Sequence, residues 1–119
     1  MIYQVIDKYD GVVIRLSKLE FEQGPSEYNL MITLSDREDG FVNQADRLLS
    51  AYHDYCSENL PFATPVFERY FLSDITNQQP LLEKMTESLS GNAVSIVEQP
   101  PLNGSKIALW AWLQTEVVN

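Results

Sequence analysis

The chain has 119 residues, 45% hydrophobic and 21% charged, with 17 acids against eight bases and a net charge of −9. That length and composition fit one folded domain and exclude intrinsic disorder. The acidic balance argues against general nucleic-acid binding, which needs clustered Lys and Arg to neutralise phosphates, whereas the four Lys and four Arg here are scattered.

In chain order, residues 2–7 and 12–16 are β-branched and apolar, and Tyr9-Asp10-Gly11 between them predicts a hairpin, since Asp-Gly suits a tight turn with positive φ. Glu20 to Glu27 is acidic, holds Gly24-Pro25 and reads as a loop. Tyr28 to Leu34 alternates, with Leu30, Ile32 and Leu34 on one face, and predicts a third strand. After the polar break Ser35 to Gly40, Phe41, Ala45, Leu48, Leu49, Tyr52 and Cys56 fall at helical spacing. Asn43, Gln44, Arg47 and Asp54 are expected on the opposite, polar side, with the helix ending near Asn59, before Pro61. Val66 to Leu72 predicts a fourth strand, following Pro65. Pro80 suits the first turn of a second helix, with Asn77-Gln78-Gln79 capping or preceding it. Leu81, Leu82, Met85 and Leu89 supply its apolar stripe, and Gly91 its stop. Ala93 to Val97 and Lys106 to Leu113 predict the last two strands, joined by the Pro100-Pro101 connection that ends in Asn103-Gly104.

The expected class is therefore α+β, a six-stranded mixed sheet in the order β-β-β-α-β-α-β-β with two helices on one face. The final strand is unusual. Ile107, Leu109, Ala111 and Leu113 alternate with Ala108, Trp110 and Trp112, so both of its faces are apolar and it does not suit an open edge. Two helices cover only one face of such a sheet, and the apolar residues on the other predict an interface, most simply with further copies of the chain. Cys56 and His53 are the only residues of their kinds, which excludes an internal disulfide, a CxxC site and a multi-histidine zinc site. No metal or cofactor is expected. No apolar run approaches the ~20 residues of a spanning helix, and with no secretory apolar core near the N-terminus the sequence reads as cytoplasmic, with no membrane partner.

Phe67-Glu68-Arg69-Tyr70-Phe71-Leu72-Ser73-Asp74 reads as a strand ending in a leucine, small residue, aspartate turn into the second helix. Val94 to Leu113 gives a strand, a Pro-rich connection and a long apolar strand. In these segments and in the order of its elements the chain resembles the reactive-intermediate deaminase (Rid, or YjgF-like) family, including its endoribonuclease L-PSP-like members, and the related trimeric chorismate mutase fold. The likeness covers roughly Phe41 to Leu113. It implies a homotrimer with small-molecule clefts between subunits. In the deaminase branch, an arginine at the start of the fifth strand binds a substrate carboxylate and an acid in the last strand helps position water. Here the arginine's place falls on Asn92 or Ala93, and the acid's on Ala108 or Trp110. The resemblance thus implies the fold and the trimer, but not the usual enamine or imine deamination, and whether the chain is an enzyme stays open. An endoribonuclease role gains nothing from a chain of net charge −9 with one histidine.

The candidate ligand-binding residues are Arg69, Ser95, Arg15 and Trp110. Arg69 shares a strand face with Phe67 and Phe71, which predicts partial burial, and it either pairs with an acid on the sheet or replaces the lost anion anchor. Arg15 poses the same question on the second strand. Ser95 is a candidate pocket hydroxyl beside the vacant arginine position, and Trp110 and Trp112 either pack at an interface or wall a cleft for a planar ligand. Cys56 is read as packing on the apolar helix stripe and His53 as a surface residue; no catalytic residue is assigned.

Overall fold

The computed structural model describes residues 2–19, 26–35, 39–86, 93–101 and 104–115. Among them the elements run β1 (Ile2–Tyr9), β2 (Val12–Leu19), β3 (Glu27–Leu34), α1 (Phe41–Asn59), β4 (Ala63–Leu72), α2 (Ile75–Met85), β5 (Ala93–Glu98) and β6 (Ile107–Thr115). The strands form one six-stranded sheet in the order β1-β2-β3-β6-β4-β5. Every pairing is antiparallel except β4 with β5, which α2 connects. The expected α+β class, the mixed six-stranded sheet and the element order therefore hold. The doubly apolar strand β6 lies inside the sheet, between β3 and β4.

Strand register decides which residues share a face, because successive side chains point to opposite sides. Ile6, Ile14, Ile32, Leu109, Tyr70 and Ile96 lie opposite one another across all six strands. All belong to the hydrophobic core or pack against it, together with Ala45, Leu48, Tyr52 and Tyr55 of α1 and Leu82 of α2. Both helices thus cover this one face. Its strand residues are sealed: Ile14, Leu30, Ile32, Leu109 and Leu113 are all 0% exposed.

Local chemistry explains where elements begin. In the β1–β2 turn only Gly11 takes positive φ, at 74°. Pro65 lies within β4 rather than before it, and the strand starts at Ala63, not Val66. A bulge between Pro65 and Phe67 accommodates it, and β5 pairs β4 only from Phe67 onward, so Pro65 faces no donor requirement on that side. Pro80 does not open α2 but sits inside it. The true start is set by Asp74, whose carboxylate accepts from the Asn77 backbone N–H and side chain, at 3.4 and 2.6 Å. Gln78 Oε1 in turn accepts from the Asp74 N–H at 3.0 Å, and Glu98 accepts from the Ile75 N–H. Two carboxylates at a helix N-terminus also complement its dipole. Asp74→Ala should cost about 1 kcal/mol of unfolding free energy, read from a urea melt with unchanged m-value. Leu89 and Gly91 lie outside the described residues.

Gln44 departs from the expected polar side of α1: it is 0% exposed. Its Nε2 donates to the Asp39 carbonyl at 2.8 Å, and its Oε1 accepts from the Lys106 backbone N–H at 2.8 Å. One side chain thereby ties the entry of α1 to the entry of β6.

Candidate functional site on the open sheet face

The residues that alternate with the core form the second face of the sheet, which no helix among the described residues covers. Register places Val5, Arg15, Met31, Trp110, Arg69 and Ser95 in one transverse row on it. All four residues singled out from sequence, Arg15, Trp110, Arg69 and Ser95, therefore stand in a single line across the sheet. Ser17, Asn29, Trp112 and Phe67 form the row on one side. Val13 and Thr33, then Ala108, Phe71 and Val97, occupy the other. The central row holds no Asp or Glu; Asp7 of β1, which alternates with the inward Ile6, stands at the edge of the Val13 row. The middle of the face is apolar with two cations, and its acids, Asp7 of β1 and Glu27 of β3, stand toward its margins.

The two arginines differ in surroundings. Arg15 is exposed at its backbone row but its Nη1 donates to the Thr33 hydroxyl at 3.4 Å. Arg69 is exposed rather than partly buried. It sits on an interior strand between Trp110 and Ser95, and its guanidinium lies 5.4 Å from the centre of the Phe67 ring. That ring also meets Trp110 at 5.6 Å in a tilted pair. Among the described residues neither guanidinium forms an ion pair. The sheet-face salt bridge considered for Arg69 is thus not formed there.

A cavity of ≈ 490 Å³ opens on this face at the Arg15 end. Its floor is Ala108, a small residue set between larger ones, and its walls are Arg15, Met31, Thr33 and Phe71. Gln99, Pro100 and Pro101 of the β5–β6 connection complete it, and both prolines follow trans bonds. The volume lies in the range of small-molecule sites, and the lining has their usual character, apolar walls with a few polar groups. Arg15 belongs to this cleft; Arg69, Ser95 and Trp110 lie along the row outside its lining. Gln99, Thr33 and Phe71 as lining residues escaped sequence reasoning. Their parity on the strands was legible, but the placement of the proline connection against the sheet was not.

The helix-covered side carries its own polar group. Glu68 is 2% exposed, on the inward-facing parity of β4, near Tyr52, Tyr70 and Cys56. Burial, and then the Glu68 charge, raise the pKa of the Tyr52 and Tyr70 phenols well above their ordinary value. The Tyr52 hydroxyl lies toward Glu68 but makes no hydrogen bond of ordinary geometry. The Cys56 thiol is pushed up to about 12 from 9.0, first by burial and then by Glu68. A thiol so protonated is a poor nucleophile, which fits its expected packing role. Folded protein at pH 8 should react with iodoacetamide far more slowly than protein in denaturant. Because the folded state holds this proton more tightly than the unfolded state, Cys56 also lowers stability as pH rises from 9 towards 12. His53 is exposed on α1, as expected, and no metal-binding group of three or more His, Cys, Asp or Glu occurs among the described residues. No helix among them is long and apolar enough to cross a membrane.

The class these features define is an α+β domain with a helix-covered face and an open, arginine-bearing face. No protein-family model matches the chain, and no curated protein matches it.

Proposed function

We propose that the chain assembles through its open sheet face into a homotrimer of the YjgF-like, chorismate-mutase-like type and binds a small metabolite in clefts at the resulting interfaces, without the usual enamine or imine deaminase chemistry. The observation that carries this reading is the row Val5-Arg15-Met31-Trp110-Arg69-Ser95, which crosses an uncovered apolar face beside a cleft of ≈ 490 Å³. The element order and the interior position of β6 support the family-like fold. The small floor residue argues against deamination. Ala108 offers no group to move a proton where the resemblance puts the acid, and Trp110, the other candidate, is no carboxylate either.

The size of the face is adequate for self-association. Six strands ~4.8 Å apart and about six residues deep at ~3.3 Å each give roughly 600 Å² before side-chain relief, approaching the ~800 Å² per partner of a standard interface. Tyr3 and Val5, 60% and 54% exposed, extend the apolar surface onto β1. Incubating the purified chain with 2-aminoacrylate generated in situ tests the chemical part: pyruvate should appear no faster than from spontaneous hydrolysis. Rapid, protein-dependent release would overturn it.

A second reading is favoured by one observation, the position of Arg15 in the cleft wall. On that reading the fold acts as an enzyme on a small anionic or aromatic metabolite, such as a chorismate-like acid, with Arg15 as its anchor.

A further inference from the structure

The charge pattern of the open face has a consequence for its assembly. Each chain presents Arg15 and Arg69 in one row, three strand spacings apart, or ~14 Å. No acid stands in that row, and the nearest ones on this face, Asp7 and Glu27, are held at its margins, outside the central row. In the single chain both arginines are exposed. Packing this face against the same face of further copies would withdraw them from water and bring like charges together. A buried charge without a partner is strongly unfavourable, and like charges facing each other across an interface oppose association. Within the chain the residues beside them, Met31, Trp110 and Phe67, are apolar and supply no negative charge.

We propose that self-association through this face is linked to the binding of a small oxyanion, a carboxylate or phosphate, by Arg15 and Arg69, so that the anion stabilises the assembled state. The inference rests on the self-association reading above. Arg15, beside the Thr33 hydroxyl and the cleft, is the better-formed half of the site: a guanidinium and a hydroxyl both donate, and Gln99 adds an amide to the same lining. A ligand bound only by the assembled form raises the association constant by mass action, about tenfold for each site filled to ten times its dissociation constant.

The test is sedimentation equilibrium of the wild-type chain and an Arg15→Gln/Arg69→Gln double variant. Each is run in sodium chloride and, at the same ionic strength, with low-millimolar inorganic phosphate or acetate replacing chloride. The wild type should associate about tenfold more tightly or better with at least one oxyanion; the two arms separate a phosphate from a carboxylate preference. The double variant should associate in chloride at least as well as the wild type and gain nothing from either oxyanion. A wild type that associates equally in all three solutions overturns the linkage but leaves self-association standing. So does assembly that weakens with rising sodium chloride and ignores the oxyanions, because the arginines then meet a neighbouring copy's carboxylates. A wild type that stays monomeric throughout overturns both readings, and a double variant that keeps the full response overturns the assignment to these arginines.

Discussion

On the proposed self-association through the open face, Met31→Lys should convert the assembly to monomer while leaving the fold intact. Met31 stands between Arg15 and Trp110 in the central row of the open face, and it is only partly buried in the single chain. A lysine keeps an unbranched apolar stem of similar length, which can still lie along the sheet with its ammonium in water. The monomer therefore loses little. In the assembly the same ammonium would be a third cation in a row that already holds two and no acid. Like-charge juxtaposition at an interface costs several kcal/mol, so the association constant should fall about a hundredfold or more. Light scattering gives the mass, and circular dichroism should show an unchanged spectrum and a melting temperature, for monomer, insensitive to the change. A variant that assembles as the wild type does would place the interface elsewhere.

Gln44→Leu carries the largest effect expected on the single chain. The side-chain volume is nearly kept, so the change removes hydrogen bonds rather than opening a cavity. Two backbone groups lose their partner at once, the Lys106 N–H and the Asp39 carbonyl, both partly buried. Each buried group left unsatisfied costs ~1–3 kcal/mol, so the variant should lose about 2–5 kcal/mol in urea unfolding. Gln44→Glu is the sharper control: its carboxylate still accepts from Lys106 but cannot donate to Asp39. Because Lys106 leads into β6, the loss should also loosen the strand that carries Ala108 and Trp110, which amide exchange at Ile107 and Ala108 would show. A leucine variant as stable as wild type would mean that this link contributes nothing.

These two residues also mark the limits of reading the sequence. Alternation along Tyr28 to Leu34 and along the final strand was strong enough to place both strands and to give their inward parity. The apolar spacing of α1 was equally plain, because Phe41, Ala45, Leu48 and Tyr52 bury as the helical period requires. Gln44 lies on the same side but reads as polar. Its burial depends on a backbone N–H 62 residues away, and no local pattern reports that. Pro80 misled for a related reason. A proline inside the sixth position of a helix is tolerated once the start is fixed elsewhere, and Asp74, with Gln78 and Glu98, fixes it. Glu68 was obscured by its chemistry: two residues before Tyr70 it shares the inward parity, yet a lone acid invites an exposed assignment.

The candidate site was legible as residues and not as a shape. Arg15, Trp110, Arg69 and Ser95 came from four strands distant in sequence, and only the register shows that they form a line. The cleft needed a long-range fact, that Gln99, Pro100 and Pro101 come to lie against Ala108 and Phe71. The positions vacated relative to the deaminase pattern were readable only in part: Ala108 is the cleft floor, whereas Asn92 lies outside the described residues.

The face of the sheet opposite the helices is the proposed interface between copies of this chain. Sedimentation equilibrium of the purified wild-type chain tests it most directly. The expected species has three times the 13.6 kDa chain mass. A monomer at every concentration, with and without phosphate or acetate and with the row from Val5 to Ser95 left to solvent, would contradict it.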